Sequence, residues 1–433
     1  MQKTAPSRAG WAELSPTARQ LLLARFLRAV AQGAMAVDFT LYLKARGWSA
    51  ADAGLLLMAG GFAGAGFGLL VGLVSDRVGR RIFLLIYEAG LTLSTAAIVI
   101  HPAAWLLVVA ATLFGFGRGA NGASGPFAPA EQAWLAQAVP APRRGAVFSL
   151  NAGMQFWGMG AGSLLAAVLP HLLPGARGAS AYLPLFLLNL VVAGINFGQI
   201  WVLEEGPREE PAASRTPERE RAEAAVTARE NRALTLLVVV NLINSVGVGL
   251  VSPLLPYWFN VRFGVGPSAV GPVYALTFVL TGLSSLAVGR LSEQVGLVRA
   301  IVLPRILGVA FLALIPFMPS FGLAASLFVA RSIVNRSSAG ARQAFSVSLV
   351  RDRRRGFASS LNAISWSLAQ AAGPAVGGWL IDMGSLVWPF LIAAAFQLAY
   401  VILFPTVMGR YAHPGRTQGL VAGSEPGRQR EAD

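Results

Sequence analysis

The chain has 433 residues, of which 55% are hydrophobic and 13% are charged, and its formal net charge is +15. Soluble domains carry about 25% charged residues, so this composition excludes an ordinary soluble protein and indicates one that lies largely in lipid. Cysteine is absent and only three histidines occur, which excludes disulfides and Cys/His metal sites. The basic residues lie between apolar runs rather than on one face, so we expect no nucleic-acid partner.

Twelve apolar runs are long enough to cross a hydrocarbon layer, for which about 20 residues are needed. Six of them lie at 21–43, 53–74, 82–100, 104–125, 146–169 and 181–203. The other six lie at 234–259, 268–289, 298–318, 322–345, 357–381 and 386–406. Residues 204–232, between the two sets, are rich in Glu, Arg, Ala and Pro and predict a solvated, partly helical linker.

The distribution of Lys and Arg indicates the orientation, because short cytoplasmic loops hold an excess of these residues. With a cytoplasmic N-terminus, the segments on that side carry 24 of the 35 Lys and Arg residues, and the opposite side carries 4. We therefore expect both termini in the cytoplasm and a position in the inner (plasma) membrane. The first apolar run is too long for a signal-peptide core, so we expect the N-terminus to be retained.

An internal repeat relates the two sets of runs. The pattern Gly-x-x-Ser-Asp-x-Val-Gly at 72–79 recurs at 289–296 with Glu293 in place of Asp76, an offset of 217. Arg144-Gly145 recurs as Arg355-Gly356, an offset of 211. Parallel copies of this kind build transporter folds whose halves are related about an axis along the membrane normal.

The sequence therefore predicts an all-α integral membrane protein of twelve transmembrane helices in two six-helix pseudo-symmetric bundles. The expected domains are an N-terminal bundle at 1–203, a cytoplasmic linker at 204–232, a C-terminal bundle at 233–408 and a flexible cytoplasmic tail at 409–433. We expect a monomer surrounded by membrane lipid.

Small residues at a spacing of four mark the second, fifth, eighth and eleventh runs, as in Gly158, Gly162 and Ala166 of the fifth. Such stripes let helix backbones approach closely in lipid. We predict that these four helices have smooth seams suited to sliding contacts. The alternative is that the small residues fill a tight static bundle.

The run from Gly72 to Arg81, Gly-Leu-Val-Ser-Asp-Arg-Val-Gly-Arg-Arg, resembles the signature loop between helices two and three of major facilitator superfamily permeases. The resemblance implies two six-helix bundles around a central cavity that opens alternately to each side. It also implies that Asp76 latches the cytoplasmic side against the start of the eleventh helix, near Gly356. A carboxylate at a helix N-terminus gains about 0.3–1 kcal/mol, which agrees with that role. The expected latch residues are Gly72, Asp76, Arg77, Gly79 and Arg80 and, in a weaker second copy, Gly289, Glu293 and Gly296.

Three intramembrane charges are candidates for proton coupling, because ionisable groups within the bilayer are costly. Arg118 lies in Gly115-Phe-Gly-Arg-Gly-Ala-Asn-Gly122, which is similar to the family's second signature, whose arginine is linked to proton coupling. Asp38, in Val-Asp-Phe-Thr, weakly resembles the acidic motif of proton-coupled drug exporters; it lies near a span end, so snorkelling remains an alternative. For Glu88, snorkelling or pairing with a cytoplasmic arginine is an equally open alternative.

Other polar residues within the runs are candidates for the walls of the substrate cavity. Asp38, Tyr42, Met35, Arg28, Gln32 and Arg25 share an arc of the first helix. The cavity candidates are Arg28, Gln32, Tyr42, Asn121, Asn241, Asn244, Arg331, Asn335 and Arg336. For Glu131, a structural ion pair is the favoured interpretation.

These patterns predict a secondary active transporter, proton-coupled, that moves a small organic solute or drug, with small molecules and protons as its partners and no cofactor. No nucleophile and base grouping and no P-loop stands out, so we expect neither an enzyme nor an ATP-driven pump. The Gly-Pro signature typical of the family's exporters in helix five is missing, which leaves the direction open. The alternatives are an uptake symporter for an anionic metabolite and a non-transporting receptor or scaffold.

Overall fold

The computed structural model describes residues 14–116, 127–140, 143–205, 217–287, 297–337, 342, 345–346, 348–350 and 355–411, and the regular elements of these residues are helices. The first half contains α1 Pro16–Ala45, α2 Ala50–Val78, α3 Arg80–Ile100, α4 Ala104–Val109, α5 Ala128–Gln137, α6 Arg144–Val168 and α7 Leu183–Val202. The second half contains α8 Pro217–Val251, α9 Leu255–Phe263, α10 Pro267–Ala287, α11 Leu297–Leu314, α12 Phe321–Ser337, α13 Arg355–Asp382 and α14 Trp388–Met408.

Local sequence signals set several helix ends. Ser49 forms a capping box with Asp52 at the start of α2, so each side chain satisfies a backbone amide of the other. Gly47, after α1, has φ +82°, and Gly264, after α9, has φ +70°. Glycine is favoured at both positions because other residues are strained in the left-handed region.

The predicted repeat is present in the helix boundaries. Helices α2 and α10 begin 217 residues apart, as do α3 and α11, whereas α6 and α13 begin 211 residues apart. The two left-handed glycines, Gly47 and Gly264, are also 217 residues apart. The two halves therefore share one helical plan in the same chain order.

Three predicted boundaries differ from the structure. The fourth run is not one continuous helix, because α4 passes into a π-helical turn at Ala110–Phe114 that ends at Gly115, whose φ is +79°. The seventh run bends through a 3-10 turn at Ser252–Leu254 between α8 and α9, where two prolines interrupt the helical hydrogen bonds. The helix of the seventh run begins at Pro217 rather than near residue 234, inside the linker that the sequence predicts to be partly helical.

Seven described segments are long and apolar enough to cross a membrane. They are Ala50–Ser75, Arg80–Ile100, Arg144–His171, Gly178–Val202, Glu230–Phe263, Val298–Phe317 and Trp388–Tyr411. Helix α1 is not among them, and its charged residues Arg25, Arg28 and Asp38 are all buried. Large apolar side chains such as Ile100 and Leu93 remain exposed on the outer helices, as expected for surfaces that contact lipid.

The two halves share their core at one end of the molecule and not at the other. A single apolar cluster includes Phe39 and Phe186 of the first half together with Trp258 and Phe390 of the second half. We call this the Asp382 end, because Asp382 ends α13 there. At the opposite end, called the Glu205 end, the described residues of each half form their own clusters, the larger ones around Trp134 in the first half and around Phe404 in the second half.

Candidate functional site

A buried ion-pair network joins three helices inside the first half. Arg28 of α1 donates through Nε and Nη2 to Oε1 of Glu88 on α3, at 2.9 and 2.7 Å, and through Nη1 to Oε2 of Glu131 on α5 at 2.8 Å. Arg25 lies 3.8 Å from the same oxygen of Glu131. Two cations therefore face two anions, and the network is formally neutral.

This network places two sequence candidates together. Arg28 and Glu88 both line a small cavity inside the first half, along with Gln32, Tyr87, Asn189 and Asn196. Glu88 does not snorkel or pair with a loop arginine, as the sequence alternatives had it, because its partner is an arginine within the first predicted span. Glu131 forms the ion pair that the sequence favoured.

Asp38 has a different environment from the other buried acids. It is fully buried on α1, about 10 Å from the end of that helix at 1.5 Å per residue. Among the residues that the structure describes, neither of its carboxylate oxygens has a hydrogen-bond partner. Its neighbours on α1, Val37 and Phe39, belong to the apolar cluster at the Asp382 end. Asp38 is therefore an isolated acid in an apolar region.

Two buried arginines of the second half, Arg305 and Arg331, have no carboxylate among their described partners. Arg305 of α11 donates to Oδ1 of Asn244 at 2.5 Å and lies 5.4 Å from the ring centroid of Tyr400. Arg331 of α12 reaches Oε1 of Gln397 only at 3.5 Å, a distance at which the hydrogen bond is weak. The described partners of these two cations are thus neutral amides and an aromatic ring.

A second cavity lies beside α10 and α12 in this half. Two arginines, three aromatic rings and three hydroxyl side chains line it: Ser252, Tyr274, Thr277, Phe278, Phe328, Arg331, Ser332 and Arg336. The guanidinium carbon of Arg336 lies 6.0 Å from the ring centroid of Phe278 and 5.4 Å from that of Phe156 on α6. Because Phe156 belongs to the first half, this cavity adjoins the seam between the halves.

The remaining cavity candidates have other surroundings. Tyr42 packs against Phe186, with ring centroids 4.9 Å apart, and so contacts α7 within its own half. Asn241 is buried on α8. A Cβ atom added at Gly308 would overlap the side chain of Asn335, which therefore packs against α11.

Contacts between the halves concentrate at the Asp382 end. The carboxylate of Asp382 accepts hydrogen bonds from the backbone amides of Ala50 and Ala51, the first residues of α2, at 2.9 and 2.8 Å. Nζ of Lys44 donates to Oδ1 of Asn260 at 2.5 Å. These contacts hold the first half to the second at this end.

The repeat relates two of these contacts to each other. Nε2 of His171 lies 2.8 Å from Oγ of Ser268. His171 is the counterpart of Asp382 at an offset of 211, and Ser268 is the counterpart of Ala51 at an offset of 217. Two repeat-related pairs of helix ends thus meet at this end of the molecule. Asp382 makes one contact through its carboxylate, and His171 makes the other through its imidazole.

The backbones approach closely at equivalent places in both halves. A Cβ atom added at Gly54 of α2 would overlap the backbone of Pro374, and one added at Gly271 of α10 would crowd Ser163 of α6. In contrast, Gly158 and Gly162 of the fifth-run stripe face α1 in their own half. These two glycines of the stripe therefore pack within their own half, and the sliding role of the stripe stays a prediction.

The charged loop after α2 contacts the first half. Gly79 has φ +119° and links α2 to α3 directly. The amides of Arg80 and Arg81 donate to the carboxylate of Glu205, and Nη1 of Arg80 donates to Oε1 of Gln137 at 3.0 Å. A Cβ atom added at Gly72 would lie 3.9 Å from Cβ of Pro129. These contacts connect the loop to the ends of α5 and α7.

Several predicted site residues lie outside the described part of the chain. These are Arg118, Asn121, Gly289, Glu293 and Gly296, and the side chains of Asp76 and Arg77 are likewise not described.

Sequence reasoning missed three polar groups that the structure brings to notable positions. They are Asp382 at the contact between the halves, Lys44 beside it, and Tyr274 in the second-half cavity. The offset of 211 from His171 was a readable signal for Asp382, because it places both residues at the ends of equivalent helices. No comparable signal exists for Tyr274, since an aromatic residue in an apolar run reads as packing.

Comparisons with known proteins agree with this architecture. The family model described as Major Facilitator Superfamily matches residues 21–240 and, a second time, residues 237–426. Multidrug resistance protein 1 of Bacillus subtilis (strain 168) is 28% identical over 179 residues, which are 40% of this chain and 44% of that protein. The chain thus spans less than half of this relative's length.

Two solved structures share the fold over nearly their whole length. A bacterial homologue of the human lysosomal transporter Spinster, inward-facing and unoccupied, has a TM-score of 0.66 at 16% identity, over 93% of this chain and 96% of that one. A D-xylose-proton symporter has a TM-score of 0.65 at 14% identity, over 89% of this chain and 97% of that one.

Proposed function

The chain belongs to the major facilitator superfamily, and from that premise we propose that it moves a small organic solute across the inner (plasma) membrane by proton-coupled alternating access. The family identifies a multi-pass membrane transporter rather than an enzyme. The observation that carries the proton coupling is Asp38, a fully buried acid without a hydrogen-bond partner among the described residues.

The proposed topology has twelve spans with both termini in the cytoplasm. It combines the domains 1–203, 204–232, 233–408 and 409–433 in one monomer. The seven apolar segments support it, together with the polar helices α1, α12 and α13, the shorter apolar helices α4 and α10, and the match of each half to one family model. The excess of Lys and Arg on one side assigns the Glu205 end to the cytoplasm and the Asp382 end to the outside.

In this topology the described conformation faces inward. Among the described residues, the halves share a core and hydrogen bonds at the Asp382 end, whereas their apolar clusters are separate at the Glu205 end. A Cβ atom added at Gly145 or Gly153 of α6, toward the Glu205 end, would meet nothing within 4 Å. The cavity therefore opens toward the cytoplasm.

The role proposed for Asp38 follows from its burial. An ionised carboxylate without a partner is very costly in an apolar region, so Asp38 holds a proton in this conformation. Opening at the Asp382 end hydrates Asp38 and allows it to ionise. The inward-facing state thus binds one proton more than the outward-facing state and becomes more favourable as the pH falls.

Glu88 is the weaker coupling candidate in this proposal, because Arg28 already neutralises it in the buried network. Arg118 retains its proposed coupling role from the family motif.

The latch proposed for the cytoplasmic side mirrors the contact at the Asp382 end. Asp382 ends α13 and binds the amides that begin α2. Asp76 lies near the end of α2, and the family resemblance implies that it binds the start of α13 in the outward-facing state. Glu293 is its counterpart toward α6. We expect charge reversal at Asp76 to reduce transport more than the same change at Glu293.

The test uses the purified chain in liposomes that contain a pH-sensitive dye, with a panel of metabolites and drugs. We expect solute-dependent proton movement in the wild type, and a clear reduction in Asp38→Asn and in Arg118→Ala. Asp52→Asn is the matched control, because Asp52 is an exposed acid at the same end of the same half. Fully coupled transport in both Asp38→Asn and Arg118→Ala would reject the coupling assignment.

The same assay separates the remaining alternatives. The relative named for multidrug resistance supports export of drugs, whereas the fold neighbour named as a proton symporter supports uptake. Solute that moves in the same direction as the protons indicates uptake by symport. Solute that moves in the direction opposite to the protons indicates export by antiport. A receptor or scaffold would move neither solute nor protons.

A further inference from the structure

The second half carries positive charge that its own sequence cannot neutralise. Residues 233–411 contain only three acids, Glu293, Asp352 and Asp382, and all three lie outside the predicted spans. Four arginines lie within those spans, at positions 305, 331, 336 and 342. In the first half, by contrast, two buried arginines face two buried glutamates. The excess of buried cations is therefore a property of the second half alone.

Two of these arginines point into the cavity between α10 and α12. None of the described residues that line this cavity is acidic. Arg331 is more than nine-tenths buried, and its Nε has no hydrogen-bond partner among the described residues. Its other described polar contact is the long one to the neutral amide of Gln397. A buried guanidinium with donors to spare is costly unless an anion accepts from it.

The hydroxyl of Tyr274 is the second unsatisfied group in this cavity. The side chain is almost fully buried, and its oxygen has no hydrogen-bond partner among the described residues. Buried polar groups normally have a partner, so an unpaired hydroxyl beside unpaired arginine donors points to a missing acceptor. Ser252, Thr277 and Ser332 add further hydroxyl groups to the same wall.

The rest of the wall is aromatic. Phe278 and Phe328 line the cavity, and Arg336 lies against both Phe278 and Phe156. Apolar and aromatic walls with a few convergent polar groups are typical of sites for organic ligands. The cavity has a volume of about 30 Å³ in the described conformation, so an organic ring occupies it only after side chains of the wall move apart. An inorganic anion would satisfy the arginines and leave the aromatic surface unused.

We propose that this cavity binds an aromatic organic anion, whose carboxylate or sulfonate accepts hydrogen bonds from Arg331, Arg336 and Tyr274 while its ring packs against Phe278 and Phe328. This inference rests on the proposed transport function and adds the chemical class of the substrate. The site adjoins the seam between the halves through Phe156, where a bound solute contacts both of them.

The test measures binding of radiolabelled benzoate to the purified full-length chain, with naphthalene-2-sulfonate as a second anion. Benzamide and benzylamine serve as neutral and cationic analogues of similar shape, and sodium chloride tests a bare anion. We expect both organic anions to bind, and the neutral and cationic analogues to compete at least roughly tenfold more weakly, since hydrogen bonds to charged groups are the stronger ones.

Variants locate the site. We expect Arg331→Gln and Arg336→Gln to weaken benzoate binding roughly tenfold or more, and Tyr274→Phe to weaken it roughly two- to tenfold. Arg262→Gln is the matched control, because it removes an exposed arginine of the same half outside the cavity. Arg331→Lys keeps the charge without the planar fork, so it is expected to retain part of the affinity.

Several results would overturn the proposal: equal affinity for benzoate and benzamide, full competition by chloride at the concentration of benzoate, or benzoate binding that survives Arg331→Gln and Arg336→Gln. If these variants do not fold, the relative affinities of the wild type and of Arg331→Lys for benzoate, benzamide and benzylamine still test the proposal. Charge-selective binding without transport of labelled benzoate would reject the proposed function and leave this site standing. Proton-coupled transport of neutral or cationic solutes without benzoate binding would reject the site alone.

Discussion

Removal of the Asp382 carboxylate is expected to loosen the closed end of the transporter. Its two oxygens accept hydrogen bonds from the first two amides of α2, so the contact joins α13 of one half to α2 of the other. Asp382→Ala deletes both hydrogen bonds. The capping box of Ser49 remains, so α2 is expected to stay helical to its first turn.

The size of the effect follows from helix capping. Loss of a side-chain cap costs about 1 kcal/mol, and a carboxylate near a helix N-terminus gains about 0.3–1 kcal/mol from the helix dipole. Asp382 is exposed, so solvent weakens the contact and about 1 kcal/mol is the appropriate total. The ratio of inward-facing to outward-facing molecules should therefore fall roughly fivefold.

The absence of native cysteine makes the measurement direct. Spin labels at Ser180→Cys and Arg262→Cys report the distance between the halves at the Asp382 end, because both positions are exposed there. Asp382→Ala should increase the fraction of long distances. His171→Ala removes the repeat-related contact, a single hydrogen bond between exposed side chains, and should shift the ratio less than twofold. Unchanged distances in Asp382→Ala, or an equal shift in His171→Ala, would refute this reasoning.

Two further predictions concern the stability of the first half. Gly162→Ala should lower the apparent Tm, because its Cβ would overlap a backbone carbonyl of α1 and overpacking costs about 1–3 kcal/mol. Gly153→Ala on the same helix has open space and should leave the Tm unchanged or raise it, so an equal loss in both variants would contradict the packing argument. Arg28→Ala should destabilise the fold by about 3–5 kcal/mol, since it leaves buried carboxylates unpaired. Adding Glu88→Gln to Arg28→Ala should recover part of the Tm, and a further loss would show that charge is not the cause.

The helical plan was predictable from the sequence because it depends on local signals. Apolar runs, the serine cap of α2 and the left-handed glycines Gly47 and Gly264 set helix ends within the chain itself. The offsets of 217 and 211 reappear in the starts of the helices because each copy of the sequence carries its own caps and turns.

The neighbours of each helix were not predictable in the same way. A stripe of small residues allows close approach without specifying the partner, so Gly158 and Gly162 were assigned to a sliding seam although they pack against α1. Gly54 and Gly271 do lie between the halves, yet nothing in their spacing distinguishes them from glycines that pack within one half. A single sequence indicates which face of a helix allows close approach, but it does not indicate which other helix packs against that face.

The partners of the buried charges could not be predicted either, because they also depend on which helices are neighbours. The spacing of residues along α1 put Arg28 on a polar arc, yet nothing in that spacing distinguishes a substrate-binding arginine from one held by Glu88 and Glu131 on other helices. Arg331 has the opposite outcome, since its described hydrogen-bond partner is the neutral amide of Gln397. The number of acids within the predicted spans of each half distinguishes an arginine held by an ion pair from an unpaired one better than the position of the arginine does.

Proton and anion are expected to favour the same conformation. In the proposed mechanism Asp38 is neutral where the Asp382 end is closed, and in that conformation Arg331 and Arg336 line the second-half cavity. Two ligands that stabilise one state increase each other's affinity, and the coupling is reciprocal. Lower pH should therefore tighten binding of naphthalene-2-sulfonate, which stays ionised throughout. In Asp38→Asn the group is permanently neutral, so affinity should remain at its low-pH value, whereas Asp52→Asn should titrate like the wild type. If the anion affinity of the wild type does not depend on pH, the proton site at Asp38 and the anion site are not energetically coupled. Proton-anion symport through these two sites would then be refuted.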